Sequence, residues 1–425
     1  MRVAFCTLGC KLNQAETESL AIRFSQAGFQ LVAPDDMADV YVANTCTVTH
    51  VADRKSRRWL RMARRKNPRA FIVATGCYAQ RSPQELAPLA DLVVDNTKKE
   101  HLLALIQTLP LDGRGLGEGE AKQFQAPATT VRTRTMIKIQ DGCYGPCTYC
   151  IVPHVRPREY SLPTSDIIDE VKQKVDLGYK EVVLTGTKVG SYSHDGCDLK
   201  GLIRRVLRET KVPRLRLSSL QPSEISLQLL DLWQDERLCR HFHLALQSGS
   251  DTVLQRMNRS YSLDQYGKTI NLIREKMPDA AITTDIMVGF PGETDEEFEQ
   301  SYSFCQQAGF ANIHVFPFSL RPETKAARMT AQITDSVKQE RNQRMLELSQ
   351  LLRQRFLEQF LGQTMPVLWE KEVNPGSSVY SGLTSNYIRV FARGEKPLCN
   401  KITRARLDKL CGQGAWGELV NENTG

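Results

Sequence analysis

The chain has 425 residues, enough for roughly three domains of ordinary size. Hydrophobic residues make up 41% and charged residues 24%, which excludes a disordered tail protein, a collagen and a small disulfide scaffold. The formal net charge of +8 permits a nucleic-acid partner without demanding one.

Residues 1–109 alternate strand-like and helix-like segments. Arg2 to Leu8 reads as a buried strand and Glu16 to Gln26 as a helix ended by Gly28. Asp39 to Thr45, Ala70 to Thr75 and Asp91 to Asp95 read as further strands. Between and after them, Val51 to Lys66, Gln84 to Ala90 and Lys99 to Leu109 have helical patterns. Alternation of this kind predicts an open parallel sheet covered by helices. Residues 110–128 carry Gly113, Gly115, Gly117 and Gly119 among polar residues and prolines, and read as a linker.

Residues 129–361 resume the α/β alternation. Strand candidates are Met136 to Gln140, Glu181 to Thr185, Arg214 to Ser218, His241 to Leu246, Ala281 to Val288 and Asn312 to Pro317. Six such units predict a partial (β/α)6 barrel. Thr334 to Leu361 reads as a long helix with Met345, Leu348, Leu352, Phe356 and Phe360 on one face. Residues 362–425 break into short β-like runs punctuated by Gly and Pro, the pattern of a small all-β barrel.

No apolar run is long enough to span a bilayer, and Lys11 interrupts the first one before a signal sequence can form. The expectation is a cytoplasmic protein with no membrane partner. Its twelve cysteines are then metal ligands, catalytic thiols or core residues rather than disulfides. The strongest pattern is Gly142-Cys143-Tyr144-Gly145-Pro146-Cys147-Thr148-Tyr149-Cys150, with C-x3-C-x2-C spacing directly after a strand. Three thiolates on a four-iron cluster leave one iron open. A zinc site with a fourth ligand from elsewhere, or three core cysteines, is the alternative.

A second trio follows from topology. Cys10, Cys46 and Cys77 each stand one or two residues past a strand of the N-terminal sheet. The carboxyl ends of parallel strands share one rim, where ligands bind. Three separate segments thus deliver one thiol each to the same place. Cys6, Cys197, Cys239, Cys305, Cys399 and Cys411 lack partner spacing and read as core or incidental. His241 and His243 share one face of a strand and read as satisfied barrel-lining residues.

Taken together these residues resemble the radical S-adenosylmethionine methylthiotransferases, over nearly the whole chain. The Cys143/Cys147/Cys150 loop with Tyr149 and Ile151-Val152-Pro153 matches the radical-SAM motif, and Cys10, Cys46 and Cys77 match the N-terminal methylthiotransferase domain. Gln247-Ser248-Gly249-Ser250 and Thr284 to Thr294 match as well, and the C-terminal barrel resembles a TRAM domain, an RNA-binding module. Leu8 to Gln14, Thr45 to Thr49, Ala52 to Arg58 and Thr75 to Gln80 resemble the branch that acts on N6-threonylcarbamoyladenosine in tRNA. One departure is Arg156-Pro157-Arg158, where relatives usually carry Arg-Gly-Arg; proline removes a backbone N–H.

The resemblance implies two [4Fe-4S] clusters, held by Cys143, Cys147 and Cys150 and by Cys10, Cys46 and Cys77. It implies S-adenosylmethionine both as radical source and as methyl donor, and an external electron donor of the flavodoxin or ferredoxin kind. Tyr149, Val288 and Gly289 would lie near the adenine of that cofactor, and Gly186 and Thr187 near its methionine amino group. Val288 reads equally as an apolar core residue.

The RNA side has its own signal. From Arg54 to Arg69 there are nine Lys/Arg in sixteen residues and no acid. Arg54, Lys55, Arg57, Arg58 and Arg61 are candidate phosphate contacts, with Trp59 placed to stack on a base. The solvated, half-buried face of an ordinary helix is the competing explanation. In the C-terminal barrel Arg389 and Arg404, with Arg393, Lys401, Arg406, Tyr387 and Phe391, suit single-stranded RNA. Other functions compatible with the sequence are methylthiolation of isopentenyl-adenosine in tRNA or of a ribosomal-protein aspartate, and a non-enzymatic iron–sulfur sensor that binds RNA.

Overall fold

A computed structural model describes residues 1–108 and 133–420, so the linker expected at 110–128 lies outside the described residues. Five strands form the N-terminal sheet: β1 (Arg2–Thr7), β2 (Gln30–Val32), β3 (Val40–Thr45), β4 (Phe71–Gly76) and β5 (Leu92–Val94). All pair in parallel, in the order β2-β1-β3-β4-β5. The period of two in β3 explains its burial on both faces. Tyr41 and Ala43 enter a core shared with Leu60 and Ala63, while Val40 and Val42 pack with Leu20, Phe24 and Leu102 on the other side.

The covering helices are α1 (Lys11–Gln26), α2 (His50–Lys66), the short α3 (Cys77–Arg81) and α4 (Pro83–Leu86), and α5 (Leu102–Thr108). Helix α2 starts where the Thr49 hydroxyl accepts from Ala52 N–H at 3.2 Å, which satisfies one orphan donor of the first turn. Helix α1 begins at Lys11, five residues ahead of the sequence expectation, with extended Cys10 as its cap. Strand β2 was not expected, and the single helix expected over Gln84 to Ala90 is instead the α3–α4 pair.

All six expected strands of the central unit are present. Arg134–Lys138 (β6), Glu181–Thr185 and Arg214–Leu217 form one parallel sheet. Ser219–Leu220, His241–Leu244, Ala281–Val288 and Asn312–Pro317 form the next. The chain passes from one sheet to the other through Ser218, so the six strands curve into a partial barrel. Side chains alternate strictly. Val182, Leu184, Leu215, Leu217, Phe242, Leu244, Ile282 and Ile286 join the core under the outer helices. The residues between them line the inside: Glu181, Arg214, Arg216, His241, His243, Thr283 and Asp285, most of them buried.

The C-terminal unit is a closed barrel of Thr364–Glu372, Val379–Thr384, Arg389–Arg393, Ile402–Cys411 and Gly414–Leu419. It caps the amino-terminal ends of the central strands. Arg214 donates to Leu383 O and Pro366 O, both at 2.8 Å, and Arg216 donates to Ser385 O at 3.0 Å. Asn386 reaches Asp279 O at 3.0 Å. Between them Tyr387 adopts φ +70 and stacks on His241, ring centroids 4.6 Å apart. Tyr387, an expected RNA contact, also forms a wedge at the floor of the central barrel, with Arg216 over its ring at 4.6 Å. Among the described residues, no helix is long and apolar enough to cross a membrane.

Candidate functional site

Strand order in the N-terminal sheet reverses between β1 and β3, and such a switch point opens a crevice at the carboxyl ends. Cys10, Cys46 and Cys77 follow the ends of β1, β3 and β4, which are adjacent. Glycine permits the close approach. Gly9 has φ +103, and a Cβ there would lie 2.7 Å from Cys46 Sγ. Gly76 has φ +97, and its Cβ would lie 2.4 Å from Thr45 O. Asn13 ties two of the loops together, donating to Leu8 O at 2.8 Å and Thr45 O at 3.1 Å. All three thiols are free. Burial pushes the Cys46 thiol up to about 12, and the charges of Cys77 and Cys10 add to the shift. Crowded thiols of this kind ionise readily only when a cation takes them as ligands, so the donor set suits an iron–sulfur centre.

The second trio sits on the loop after β6. Gly142 has φ +73 and abuts Arg158 O, where a Cβ would come within 1.8 Å. Thr148 straps the loop to the barrel: its N–H donates to Met257 O and its hydroxyl to Arg256 O, each at 3.0 Å. Gly145 N–H points at Cys143 Sγ from 3.2 Å, and Arg259 Nη1 at Cys147 Sγ from 3.3 Å. Burial pushes the Cys143 thiol up, and the Gly145 donor opposes that shift. Burial pushes Cys150 up to about 12, with Cys147 and Cys143 contributing. Among the described residues, no three His, Cys, Asp or Glu side chains converge on a single-ion position. Thiolates of a four-iron cluster each bind a separate iron and stay further apart than the ligands of one ion.

The two loops face each other. Cys77 packs against Ile151, the residue after Cys150, and against Val155. Asn96 spans the same junction, donating to Val155 O at 2.8 Å. Below it lies a buried charge network that sequence reasoning missed. Arg156 binds Glu16 of α1 at 2.8 Å and Asp141 of the barrel at 2.7 Å, and Lys99 binds Glu16 at 2.5 Å. Burial opposes the Glu16 charge, but Lys99 and Arg156 outweigh it and hold the carboxyl far below its ordinary range. A second tie, Arg321 to Asp53 at 2.6 Å, joins the barrel to α2. Pro157 is exposed, so at this departure from the usual pattern the contacts are made by the Arg156 side chain.

Polar atoms without partners gather at the carboxyl ends of the barrel strands. Thr187 Oγ1, Ser218 Oγ and Gln247 Oε1 are buried and unpaired, on three neighbouring strand ends. Gln247 also holds φ +73, a conformation that costs energy and persists where the surroundings enforce it. Buried polar groups normally have partners, so this rim fits a polar ligand such as S-adenosylmethionine. Gly186 lets its loop close on the segment after β6; a Cβ there would lie 2.9 Å from Gln140 O. Tyr149 packs beside Val253, Met257, Met287 and Phe290 at the same end. Val288 takes the apolar core position that the sequence equally allowed. The Val288 side chain enters the core under the outer helices, because its parity on the strand is that of Ile286 rather than Asp285. Gly289, at φ +70, makes room for Lys338 and donates to Glu293 at 2.7 Å.

The basic segment divides by helical face. Arg54, Lys55, Arg58 and Arg61 are exposed along one side of α2. Arg57 instead binds Tyr78 and Glu85. Trp59 packs edge-on against Tyr41 at 6.0 Å and lies half-buried against the helix–sheet core. In the C-terminal barrel Arg404 is exposed, whereas Arg389 pairs with Glu370, which Arg134 also binds.

A parallel partial barrel with a C-x3-C-x2-C loop after its first strand defines a radical-SAM protein. Residues 137–305 match the Radical SAM superfamily, and residues 2–95 match the uncharacterized protein family UPF0004. The threonylcarbamoyladenosine tRNA methylthiotransferase MtaB of Bacillus subtilis is 38% identical, covering 96% of this chain and 94% of that protein. The MtaB of Aquifex aeolicus is 40% identical over 95% and 99% of the two chains. A tRNA-2-methylthio-N(6)-dimethylallyladenosine synthase of Syntrophotalea carbinolica is 32% identical over 97% and 98%. Among solved structures, the radical S-adenosylmethionine methyltransferase TsrM of Kitasatospora setae shares the fold, with a TM-score of 0.57 at 16% identity over 77% of this chain and 75% of that one. The chain belongs to the radical S-adenosylmethionine methylthiotransferase family. That family membership brings with it a [4Fe-4S] cluster and S-adenosylmethionine.

Proposed function

We propose that the protein replaces the C2 hydrogen of N6-threonylcarbamoyladenosine, beside the anticodon of tRNA, with a methylthio group. The observation that carries this reading is the facing pair of three-cysteine loops, joined through Cys77 and Ile151. One trio alone would serve radical generation; a second, equally incomplete trio beside it supplies a place for sulfur. Cys143, Cys147 and Cys150 would hold one [4Fe-4S] cluster and Cys10, Cys46 and Cys77 another. Once bound, these groups and S-adenosylmethionine supply the radical, sulfur and methyl chemistry that an inert adenine C–H bond demands.

The chain's own residues bind and orient. Thr187, Ser218 and Gln247 offer polar atoms to the cofactor at the rim. Gly145 and Arg259 direct N–H groups at the cluster sulfurs, a second-layer contact that tunes such centres. Arg54, Lys55, Arg58 and Arg61 would hold phosphates near the Cys46 loop, and Arg404 others on the C-terminal barrel. The preference for threonylcarbamoyl over isopentenyl substrates rests on the higher identity to the MtaB relatives. An external one-electron donor completes the reaction.

The test is mass spectrometry of tRNA nucleosides from a strain lacking the gene. The expected result is loss of the 2-methylthio group from threonylcarbamoyladenosine alone. An unchanged tRNA profile would refute the assignment, and loss from isopentenyl-adenosine would move the protein to the neighbouring branch.

A further inference from the structure

Asp53 lies in the first turn of α2 and is buried, although the helix goes on to carry an exposed basic face. Its carboxylate ties together three separate parts of the chain. Oδ1 accepts from the Thr47 hydroxyl at 2.6 Å, and Thr47 directly follows Cys46. Oδ2 accepts from Arg81 Nη1 at 3.2 Å, and Arg81 ends α3, the short helix that Cys77 begins. The same Oδ2 accepts from Arg321 Nη1 at 2.6 Å, and Arg321 stands just past the last strand of the central barrel. Arg81 closes the ring by donating to Thr47 Oγ1 at 2.7 Å. Both guanidinium groups are buried with the carboxylate.

Buried charges are a costly filling for a domain seam, where apolar side chains of similar volume often hold as well. What the charges add is direction. Apolar burial is non-directional, and two apolar faces can settle in several registers. Charge-assisted hydrogen bonds fix both distance and angle. One carboxylate here fixes the Cys46 segment, the Cys77 helix and the barrel relative to a single point.

We propose that Asp53 is a positioning residue for sulfur transfer: through Thr47, Arg81 and Arg321 it holds the Cys10/Cys46/Cys77 site at a set separation from the Cys143/Cys147/Cys150 site. The assignment rests on the two-cluster reading above.

Full-length protein would be reconstituted anaerobically with iron and sulfide as wild type, Asp53→Asn, Thr47→Val, Arg321→Met and Arg321→Lys. Asparagine keeps an acceptor for Thr47 but turns an amide N–H toward the two guanidinium groups, and so cuts the arginine ties. Valine removes only the Thr47 tie and leaves the ion pairs in place, which serves should Asp53→Asn fail to fold. Asp53→Asn and Thr47→Val are also made with Cys143, Cys147 and Cys150 replaced by alanine, so that iron content and the electron paramagnetic resonance spectrum report the N-terminal site alone. In the otherwise native chain, Asp53→Asn and Arg321→Met should form 5′-deoxyadenosine at close to the wild-type rate. Methylthiolated tRNA per 5′-deoxyadenosine should fall about 10- to 100-fold, the range for a lost supporting contact at a metal site. Arg321→Lys should recover part of that ratio, and the spectrum of the N-terminal site should shift in Asp53→Asn and in Thr47→Val. A wild-type ratio and spectrum in folded, iron-loaded Asp53→Asn, or in Thr47→Val where Asp53→Asn does not fold, would overturn the assignment. So would equal loss of both products in step with Tm and without recovery in Arg321→Lys, the mark of a purely structural residue. Wild type that forms 5′-deoxyadenosine but no methylthiolated tRNA would overturn the function reading instead, and the spectra, which need no tRNA, would then decide on Asp53 by themselves.

Discussion

Glu16 and Arg156 meet across the boundary between the N-terminal sheet and the central barrel, Oε1 to Nη1 at 2.8 Å, and both are buried. Removing one partner of a buried pair leaves an uncompensated charge and costs about 3–5 kcal/mol. Glu16→Gln should therefore destabilise the protein by that amount, measured by denaturant unfolding of the apo form. The pH dependence has a defined sign. The folded carboxyl titrates far below its ordinary value of about 4.3. Its contribution is complete above that pH and is lost as pH falls toward the folded value. Between pH 6 and 3 the wild-type Tm should fall more steeply than that of Glu16→Gln. Parallel curves would mean that the pair does not stay ionised.

The two cysteine trios should titrate separately for iron. Reconstituted wild type should hold about eight irons per chain, and alanine replacement of either trio about half of that. Cys143→Ala should abolish formation of 5′-deoxyadenosine. Cys46→Ala should keep part of it and lose sulfur insertion. Equal loss of both in a folded Cys46→Ala protein would argue against divided roles.

Gly142 tests the loop that carries the second trio. An alanine at φ +73 costs about 1–2 kcal/mol from backbone conformation alone, and its methyl group would also strike Arg158 O. Gly142→Ala should displace the loop and lose the iron bound by Cys143, Cys147 and Cys150, while the other trio stays loaded. Full iron content with an unchanged melting temperature would contradict the tight approach seen at this turn.

The exposed face of α2 makes an ionic-strength prediction. Each phosphate contact removed from duplex RNA or a loop should lower the slope of log K against log salt by about 0.7–0.9. Neutralising Arg54, Lys55, Arg58 and Arg61 together should flatten the slope for tRNA in proportion to the contacts made. Trp59→Ala should lower Tm through lost packing and leave the slope as it was. The reverse pattern would identify Trp59 as an RNA contact.

Much of this architecture was legible in the sequence because it rests on local pattern. The six barrel strands alternate apolar and polar residues, and the cysteine loop announces itself by spacing. The N-terminal trio was legible through topology, since Cys10, Cys46 and Cys77 each trail a strand of one sheet. What the sequence hid depends on partners far apart along the chain. Arg156 and Glu16 are 140 residues apart, and Tyr387 reaches His241 from another domain. Strand β2 has only three residues, too few to show a period. Trp59 and Val288 each allowed a core role beside a functional one, because the face on which each lies is revealed only by the register of the neighbouring strands or helices.

The wedge at Tyr387 bears on how a shortened protein would be interpreted. The C-terminal barrel contributes a wall to the chamber whose lining includes Arg214, Arg216 and His241. Cutting the chain before Thr364 would thus strip the lid from these groups and flood them with solvent. A truncated form that fails to modify tRNA would not by itself reveal a weakened grip on the nucleic acid, because the chamber would have been dismantled along with the handle.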